Sequence, residues 1–161
     1  MTDTSGATRR YLAGTMRIAL GSDHAGFALK EHVKQTLRDG GHEITDVGAE
    51  SDDSVDYPGF ANAAAGLVAA GEAEVAVLAC GSGVGVSIVA NKVHGVRAVN
   101  AHDADEAAMS RRHNDVNVVT LSGARLDNGQ ADDIVAAFLA TDFEGGRHAR
   151  RVDQIGELES D

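Results

Sequence analysis

The sequence predicts an α/β fold: a five-stranded parallel sheet wound with helices on both faces, with an extra helix at the C-terminus. Three observations predict it. Short apolar runs alternate along the chain with longer stretches whose apolar residues recur at helical spacing. One run, Val75-Ala76-Val77-Leu78-Ala79-Cys80, is apolar without a break, as a central parallel strand covered on both faces must be. The 161 residues, 43% apolar and 24% charged, suit one domain with its own core.

The alternation begins at Met16, and Arg17-Ile18-Ala19-Leu20-Gly21 reads as the first strand. Gly26 to Arg38 reads as a helix, with Phe27, Val33 and Leu37 apolar among charged neighbours, and Gly40-Gly41 ends it. Glu43 to Val47 is a short second strand, followed by an acidic loop from Gly48 to Asp56. Pro58, the only proline, opens the next helix at a position where its missing N–H is no loss. Phe60, Ala64, Leu67 and Val68 share one face of that helix. After Val75–Cys80 comes Gly81-Ser82-Gly83-Val84-Gly85, then a helix running to Lys92. Val96 to Asn100 is the fourth strand, and Asp103 caps a helix that runs to Arg112. Asn117 to Leu121 is the fifth strand, and Ala131 to Ala140 a helix with Ile134, Val135, Phe138 and Leu139 turned inward. Gly145-Gly146 breaks the chain before a last helix, Arg147 to Leu158, whose Val152, Ile155 and Leu158 form a stripe suited to docking on a second subunit. Residues 1–15 are expected to be a disordered tail, which leaves 16–161 as the single domain, with Met16 an alternative start.

Fourteen basic and 25 acidic residues give a net charge of −11. Such a chain repels nucleic-acid phosphates and anionic lipid, so neither nucleic acid nor membrane is an expected partner. An anionic substrate would need a local cluster of cations, which makes the position of each arginine informative. No apolar run approaches the roughly 18 residues of a membrane span. Residues 1–15 include Arg9 and Arg10 but no apolar core of a secretory signal. The lone cysteine permits no intramolecular disulfide, and the expected location is the cytoplasm.

Wound parallel sheets bind ligands at the carboxyl ends of their strands. Three such ends carry polar residues: Ser22-Asp23-His24-Ala25-Gly26, Cys80 to Gly85, and Ser122-Gly123-Ala124-Arg125. Two helix ends add Arg111-Arg112-His113-Asn114 and Arg147-His148-Ala149-Arg150-Arg151. The glycine loop fits neither a dinucleotide fingerprint, since Val86 stands where the third glycine belongs, nor a P-loop, since no Gly-Lys-Ser/Thr follows. It is either a turn that converges backbone N–H groups on an anion or a turn that lets helix and strand pack. Cys80 is either a small buried hydrophobe or a thiol whose place before a helix N-terminus favours the thiolate, fit to serve as nucleophile or base. Asp23 and His24 are either solvated loop residues or an acid–base pair facing that loop. His113 ends a helix, where the dipole favours its protonated form, and capping alone would account for it. Arg147 and Arg151 share a helix face, and with Arg125 they suit phosphate oxygens or ordinary surface ion pairs. His32, His42, His94 and His102 read as surface or structural, and no spacing resembles a zinc site.

Taken in order, Gly21-Ser22-Asp23-His24-Ala25-Gly26, Asp56-Tyr57-Pro58, Cys80-Gly81-Ser82-Gly83-Val84-Gly85, Ala90-Asn91-Lys92, Arg97-Ala98, Arg112-His113-Asn114 and Gly146-Arg147-His148 with Arg151 resemble type B ribose-5-phosphate isomerases. The related galactose-6-phosphate isomerase subunits share part of the pattern. The resemblance runs from Met16 to Glu159. It implies a Rossmann-like three-layer α/β/α sandwich that works without metal or cofactor. It also implies a homodimer or dimer of dimers with shared active sites. Cys80 would be the base that moves the proton between C2 and C1. Gly81, Gly83, Val84 and Gly85 would hold the enediolate oxygen through their N–H groups. Ser82, where many members carry Thr, would pass protons between O1 and O2. Asp23 and His113 would open the furanose ring. His24, Arg125, Arg147 and Arg151 would hold the phosphate, and Tyr57 and Asn114 would contact the sugar. Members without this Cys are thought to use a carboxylate shortly after the loop; Val84 to Ala90 contains no acid, so Cys80 is the base available here.

The expected activity is thus interconversion of ribose 5-phosphate and ribulose 5-phosphate. The alternatives are the same chemistry on allose 6-phosphate, galactose 6-phosphate or a tetrulose 4-phosphate, a hydrolase or transferase with Cys80 as nucleophile, and a phosphosugar-binding module without turnover.

Overall fold

The computed structural model describes residues 14–159. The expected N-terminal tail therefore lies outside the described residues, except for Gly14 and Thr15; Thr15 Oγ1 donates to the Gly41 carbonyl at 3.1 Å. The strands are β1 (Arg17–Ser22), β2 (Glu43–Asp46), β3 (Val75–Cys80), β4 (Ala98–Asn100) and β5 (Val118–Ser122). The helices are α1 (Phe27–Asp39), α2 (Tyr57–Ala69), α3 (Val84–Ala90), α4 (Ala104–Asn114), α5 (Asn128–Ala140) and α6 (Arg147–Glu157). All strand pairs are parallel, in the order β2-β1-β3-β5-β4. This is the expected α/β sandwich with its additional C-terminal helix.

The period of two along each strand divides the interior into two cores. Ile18, Leu20, Val77, Val119 and Leu121 meet α1, α4 and α5, where Val33, Leu37, Ile134 and Phe138 are buried. Ala19, Ala76, Leu78, Cys80 and Val118 meet α2 and α3, whose buried residues include Ala61, Ala64, Ala65 and Val86. The second core is rich in alanine, so α2 approaches the sheet closely. Every residue of β3 is buried.

Several boundaries shift from the sequence pattern by one to three residues, three of them as follows. Helix α5 begins at Asn128 rather than Ala131 because Asp127 and Gln130 form a reciprocal capping box, with N–H···O distances of 2.8 and 3.0 Å. Helix α2 begins at Tyr57, with Pro58 in its first turn. Strand β4 begins at Ala98 rather than Val96, because the Arg97 N–H bonds to the Asn117 side chain instead of the strand ladder. No helix among the described residues is long and apolar enough to cross a membrane.

Two lysines close the face of α1 against the end of β2. Lys30 Nζ, its side chain 2% exposed, lies 2.6 Å from Asp46 Oδ2 and 3.0 Å from Glu31 Oε1. Lys34 Nζ lies 2.8 and 2.7 Å from the same two carboxylates. Burial pushes the Asp46 carboxyl upward, but hydrogen bonds from Lys30, Lys34 and the Gly48 N–H outweigh it and leave the group below its ordinary value. A carboxyl lowered by folding contributes stability above its unfolded value, about 3.9, and that stability is lost as pH falls through the folded value. Asp46→Asn is therefore expected to lower unfolding free energy at pH 7 by about 3 kcal/mol in urea titrations. It should also flatten the fall in stability below about pH 4. An unchanged acid limb would remove the network from any account of stability.

Candidate active site

The chain winds outward from β1 to β2, then crosses to β3 on the other side of β1. Winding reverses between β1 and β3, which leaves a crevice at their carboxyl ends. Register brings Ser22 level with Ala79 and Cys80 level with Ser122. The loops that follow Ser22, Cys80 and Ser122 therefore converge.

Cys80 closes β3 on the α2–α3 side and is 3% exposed. Its Sγ accepts the Gly83 N–H at 3.2 Å. Gly83 stands at φ +76°, and a Cβ there would lie 2.4 Å from Asn100 Oδ1 and 3.0 Å from the Leu121 carbonyl carbon. Only glycine makes this turn without strain. The Ser82 hydroxyl accepts the Val84 N–H at 3.1 Å. Tyr57 lies across the first turn of α3, where a Cβ on Gly85 would fall 2.5 Å from its Cζ. Asp23, 6% exposed, accepts the Gly26 N–H at 3.0 Å. Over the thiol lies an open cavity of about 450 Å³ whose lining includes Asp23, Tyr57, Cys80, Ser82 and Gly85. A larger hollow of about 530 Å³ beside β2 is lined by Asp46, Glu50 and Asp53 and repels anions.

His24 follows Asp23, and its Nδ1 lies 3.1 Å from both the Val55 N–H and the Val55 carbonyl oxygen. Either neutral tautomer keeps one of these contacts, accepting from the N–H or donating to the carbonyl. Arg125 stands exposed just beyond β5, its N–H donating to Ser122 Oγ at 3.2 Å.

His113, Asn114, Arg147 and Arg151 are elsewhere. Helix α4 starts at the carboxyl end of β4 and finishes where β5 begins, so His113 and Asn114 reach the amino edge of the sheet, about 16 Å along the helix from its start. The first turn of α6 packs there. The His113 and His148 rings stack with centroids 4.3 Å apart and planes 12° apart. Glu144 ties the two helices: its N–H donates to the Arg112 carbonyl at 3.1 Å, and its carboxylate lies 3.6 Å from His148 Nε2 and 3.7 Å from Arg112 Nε. Burial, then the charges of His113 and Arg147, lower the pKa of His148 and outweigh the pull of Glu144. The sequence-predicted residues thus form two groups at opposite edges: Asp23, His24, Tyr57, Arg125 and the turn from Cys80 to Gly85 at one, and His113, Asn114, Arg147 and Arg151 at the other.

The arginines sort by partner. Arg97 and Arg111 ion-pair with Asp115, and Arg112 with Glu144. Among the described residues, Arg125, Arg147 and Arg151 have no carboxylate within 4.0 Å of the guanidinium, as is also true of Arg17, Arg38 and Arg150. The surface ion pairs that would account for Arg125, Arg147 and Arg151 are not formed. His32 and His102 do take carboxylate partners, Asp132 at 2.9 Å and Glu106 at 3.1 Å, and His42 accepts the Met16 N–H.

Sequence spacing did not show the grouping of His113, Glu144 and His148, whose donor atoms lie within 4.8 Å of one another. Near-parallel stacked rings aim their nitrogens side by side rather than at a common point, and Arg112 shares the carboxylate. Sequence spacing also did not show that Asn100, Thr120 and Ser122 hold carbonyls of the glycine turn, although a threonine inside the apolar run Val118-Val119-Thr120-Leu121 was a visible signal.

Residues 18–155 match the model of a family described as Ribose/Galactose Isomerase. The chain belongs to that family. It is 43% identical over 143 residues to ribose-5-phosphate isomerase B of Escherichia coli, covering 89% of this chain and 96% of that one. A solved structure of ribose-5-phosphate isomerase B from Clostridium thermocellum superposes with a TM-score of 0.88 at 44% identity, covering 89% of this chain and 97% of that one. The Mycoplasma genitalium enzyme with bound ribulose-5-phosphate gives 0.86 at 37% identity, covering 90% and 97%. These likenesses span both edge groups.

Exposed arginines without an ion-pair partner contribute little to folding. Arg147→Ala and Arg151→Ala are expected to change unfolding free energy by no more than about 0.5 kcal/mol. Arg111 also donates to the Thr141 and Val116 carbonyls, so Arg111→Ala should lose about 2 kcal/mol or more. Equal losses in urea titrations of all three variants would contradict this sorting.

Proposed function

We propose that this chain is an aldose–ketose isomerase that interconverts ribose 5-phosphate and ribulose 5-phosphate through a cis-enediolate, with Cys80 as the base. The observation that carries the reading is the buried Cys80 sulfur, with the Gly83 N–H on it at 3.2 Å, at the floor of the switch-point cavity. The sulfur takes the proton from C2 of the open-chain aldose. The C2 electron pair forms the C1–C2 double bond, and the carbonyl oxygen O1 becomes negative. The N–H groups of the Gly81–Gly85 turn hold that charge. Ser82 moves the hydroxyl proton from O2 to O1, C2 becomes the carbonyl, and the proton on sulfur returns to C1. This route uses side chains and main chain alone.

The same reading assigns Asp23 and His113 to opening the furanose, His24, Arg125, Arg147 and Arg151 to the phosphate, and Tyr57 and Asn114 to the sugar. The two edge groups of one chain are too far apart to meet on one pentose phosphate. We therefore infer a homodimer, or a dimer of dimers, in which His113, Asn114, Arg147 and Arg151 of one copy complete the Cys80 cavity of another. Helix α6 supports this: only its His148 is buried, and Ile155 and Leu158 stay 40% and 85% exposed. A cytoplasmic location fits a thiol that must stay reduced to work.

A coupled assay across ribose 5-phosphate, allose 6-phosphate, galactose 6-phosphate and erythrulose 4-phosphate is expected to show fastest turnover of the pentose. No turnover of ribose 5-phosphate beside fast turnover of another sugar would overturn the substrate. Solvent deuterium should enter the product. Cys80→Ala should stop that exchange and lower kcat by about 10²–10⁴-fold while sugar phosphate still binds. Mixing inactive Cys80→Ala with inactive Arg147→Ala/Arg151→Ala should recover part of the parent activity, because one intact site forms per mixed dimer. A mixture that stays inactive after subunit exchange would place both groups within one chain.

A further inference from the structure

In the proposed reaction the Gly81–Gly85 turn holds the negative oxygen, and the inference here rests on that reading. Within itself the turn has two hydrogen bonds, from the Gly83 N–H to Cys80 Sγ and from the Val84 N–H to the Ser82 hydroxyl. Four successive carbonyls are each taken by a donor from β4, β5 or the segment just after β5. Cys80 O accepts the Gly123 N–H at 2.8 Å. Gly81 O accepts the Ser122 hydroxyl at 2.7 Å and the Ala124 N–H at 3.1 Å. Ser82 O accepts Asn100 Nδ2 at 3.2 Å, and Gly83 O accepts the Thr120 hydroxyl at 2.7 Å.

A trans peptide holds its C=O and N–H on opposite sides of one rigid plane, and the described chain has no cis peptide. Carbonyls drawn toward β5 and β4 therefore turn the N–H groups of Gly81, Ser82, Gly83 and Val84 the other way. The Gly83 N–H on the Cys80 sulfur shows that this other side is the thiol side, and the Val84 N–H is taken by the Ser82 hydroxyl.

The three side-chain donors cost the fold something. Thr120 and Ser122 are 0% and 2% exposed among apolar neighbours, where a hydroxyl is tolerated only when hydrogen-bonded, and each donates to a carbonyl of the turn. Asn100 keeps a buried Oδ1 without a hydrogen-bond partner while its amide holds Ser82 O.

We propose that Thr120, Asn100 and Ser122 are positioning residues of the isomerisation, side chains that clamp the Gly81–Gly83 carbonyls so that the turn's N–H groups are aimed at the developing oxyanion before the sugar arrives. They act through the main chain and need not touch the substrate. Thr120 matters most, because it fixes the peptide after Gly83 that leads into α3 and whose N–H seats the Ser82 hydroxyl. Donors fixed in advance stabilise the transition state more than the bound sugar, so the effect belongs in kcat rather than KM.

The test compares Thr120→Val, which keeps the shape and loses the hydroxyl, with Thr120→Ser, which keeps the hydroxyl. Thr120→Val is expected to lower kcat by about 10²-fold with KM within about twofold. It should weaken binding of a phosphorylated aldonohydroxamate, an enediolate mimic, by a similar factor. Thr120→Ser should retain most of both. Hydrogen exchange at the amides of residues 81–84 should be faster in Thr120→Val than in Thr120→Ser. A folded Thr120→Val with parent kcat, parent hydroxamate affinity and parent amide exchange would overturn the proposal. So would equal losses in Thr120→Ser, which would assign the effect to packing. Should Thr120→Val lack a cooperative thermal transition, Asn100→Leu and Ser122→Ala carry the same comparison at the margin of the core. A parent chain that isomerises no sugar phosphate would defeat the functional reading alone, and the exchange rates would still decide whether the clamp exists.

Discussion

Strand β3 is covered on both faces along its whole length, so a reactive group can meet solvent only where the strand stops. That constraint arranges the rest of the molecule. Parallel strands with antiparallel helices leave two functional edges, separated by about 20 Å of a six-residue strand. The carboxyl edge receives the loops after β1, β3 and β5, and with them the acid, the thiol and the N–H turn. The amino edge receives the ends of the helices, and with them His113 and Asn114. A site that uses both edges has to be assembled from two molecules, and the fold leaves α6 projecting with little of its own surface buried.

The two cores differ in a way that serves the thiol. Large side chains fill the α1–α5 side, where Phe138, Ile134 and Leu37 are fully buried. The α2–α3 side is packed with alanine, and Cys80 belongs to it. Small residues let α2 lie close to the sheet, which brings Tyr57 at its start onto Gly85 at the start of α3. The cavity above Cys80 is therefore walled by two helix starts and a loop rather than by long flexible side chains. A larger residue in place of Ala61, Ala64 or Ala65 would lift α2 and open that wall, so the packing of this core sets the width of the site.

The fold was legible because its signals are local. Apolar runs and glycine breaks marked every strand and helix, and the buried run ending at Cys80 named the central strand. The capping box at Asp127 was less visible, since polar residues open a helix whose apolar pattern starts later. The convergence of Asp23 with the Cys80 turn also followed from the rule that a wound parallel sheet gathers its ligand loops at the carboxyl ends of the strands. What spacing could not show is partnership. Nothing in the sequence distinguishes Arg111, tied to Asp115, from Arg147, which has no such tie among the described residues. Nor does it join Thr120 to Gly83, because a contact across two strands leaves no local pattern. The split of the site between two edges was implied by the family resemblance and not by any motif alone.

The charge balance explains why the unpaired arginines carry weight. A chain of net charge −11 repels a sugar phosphate over most of its surface. The cations near carboxylates are neutralised in place: Lys30 and Lys34 by Asp46 and Glu31, Arg97 and Arg111 by Asp115. Arg125, Arg147 and Arg151 keep their charge available, the first at the carboxyl edge and the other two at the amino edge. Brought together between two copies, they would form a positive spot in a negative field, which localises the phosphate and orients the sugar carbons over the thiol. In the proposed assembly, attraction of the substrate and completion of the acid–base set would depend on the same step, and a separated subunit would lose both together.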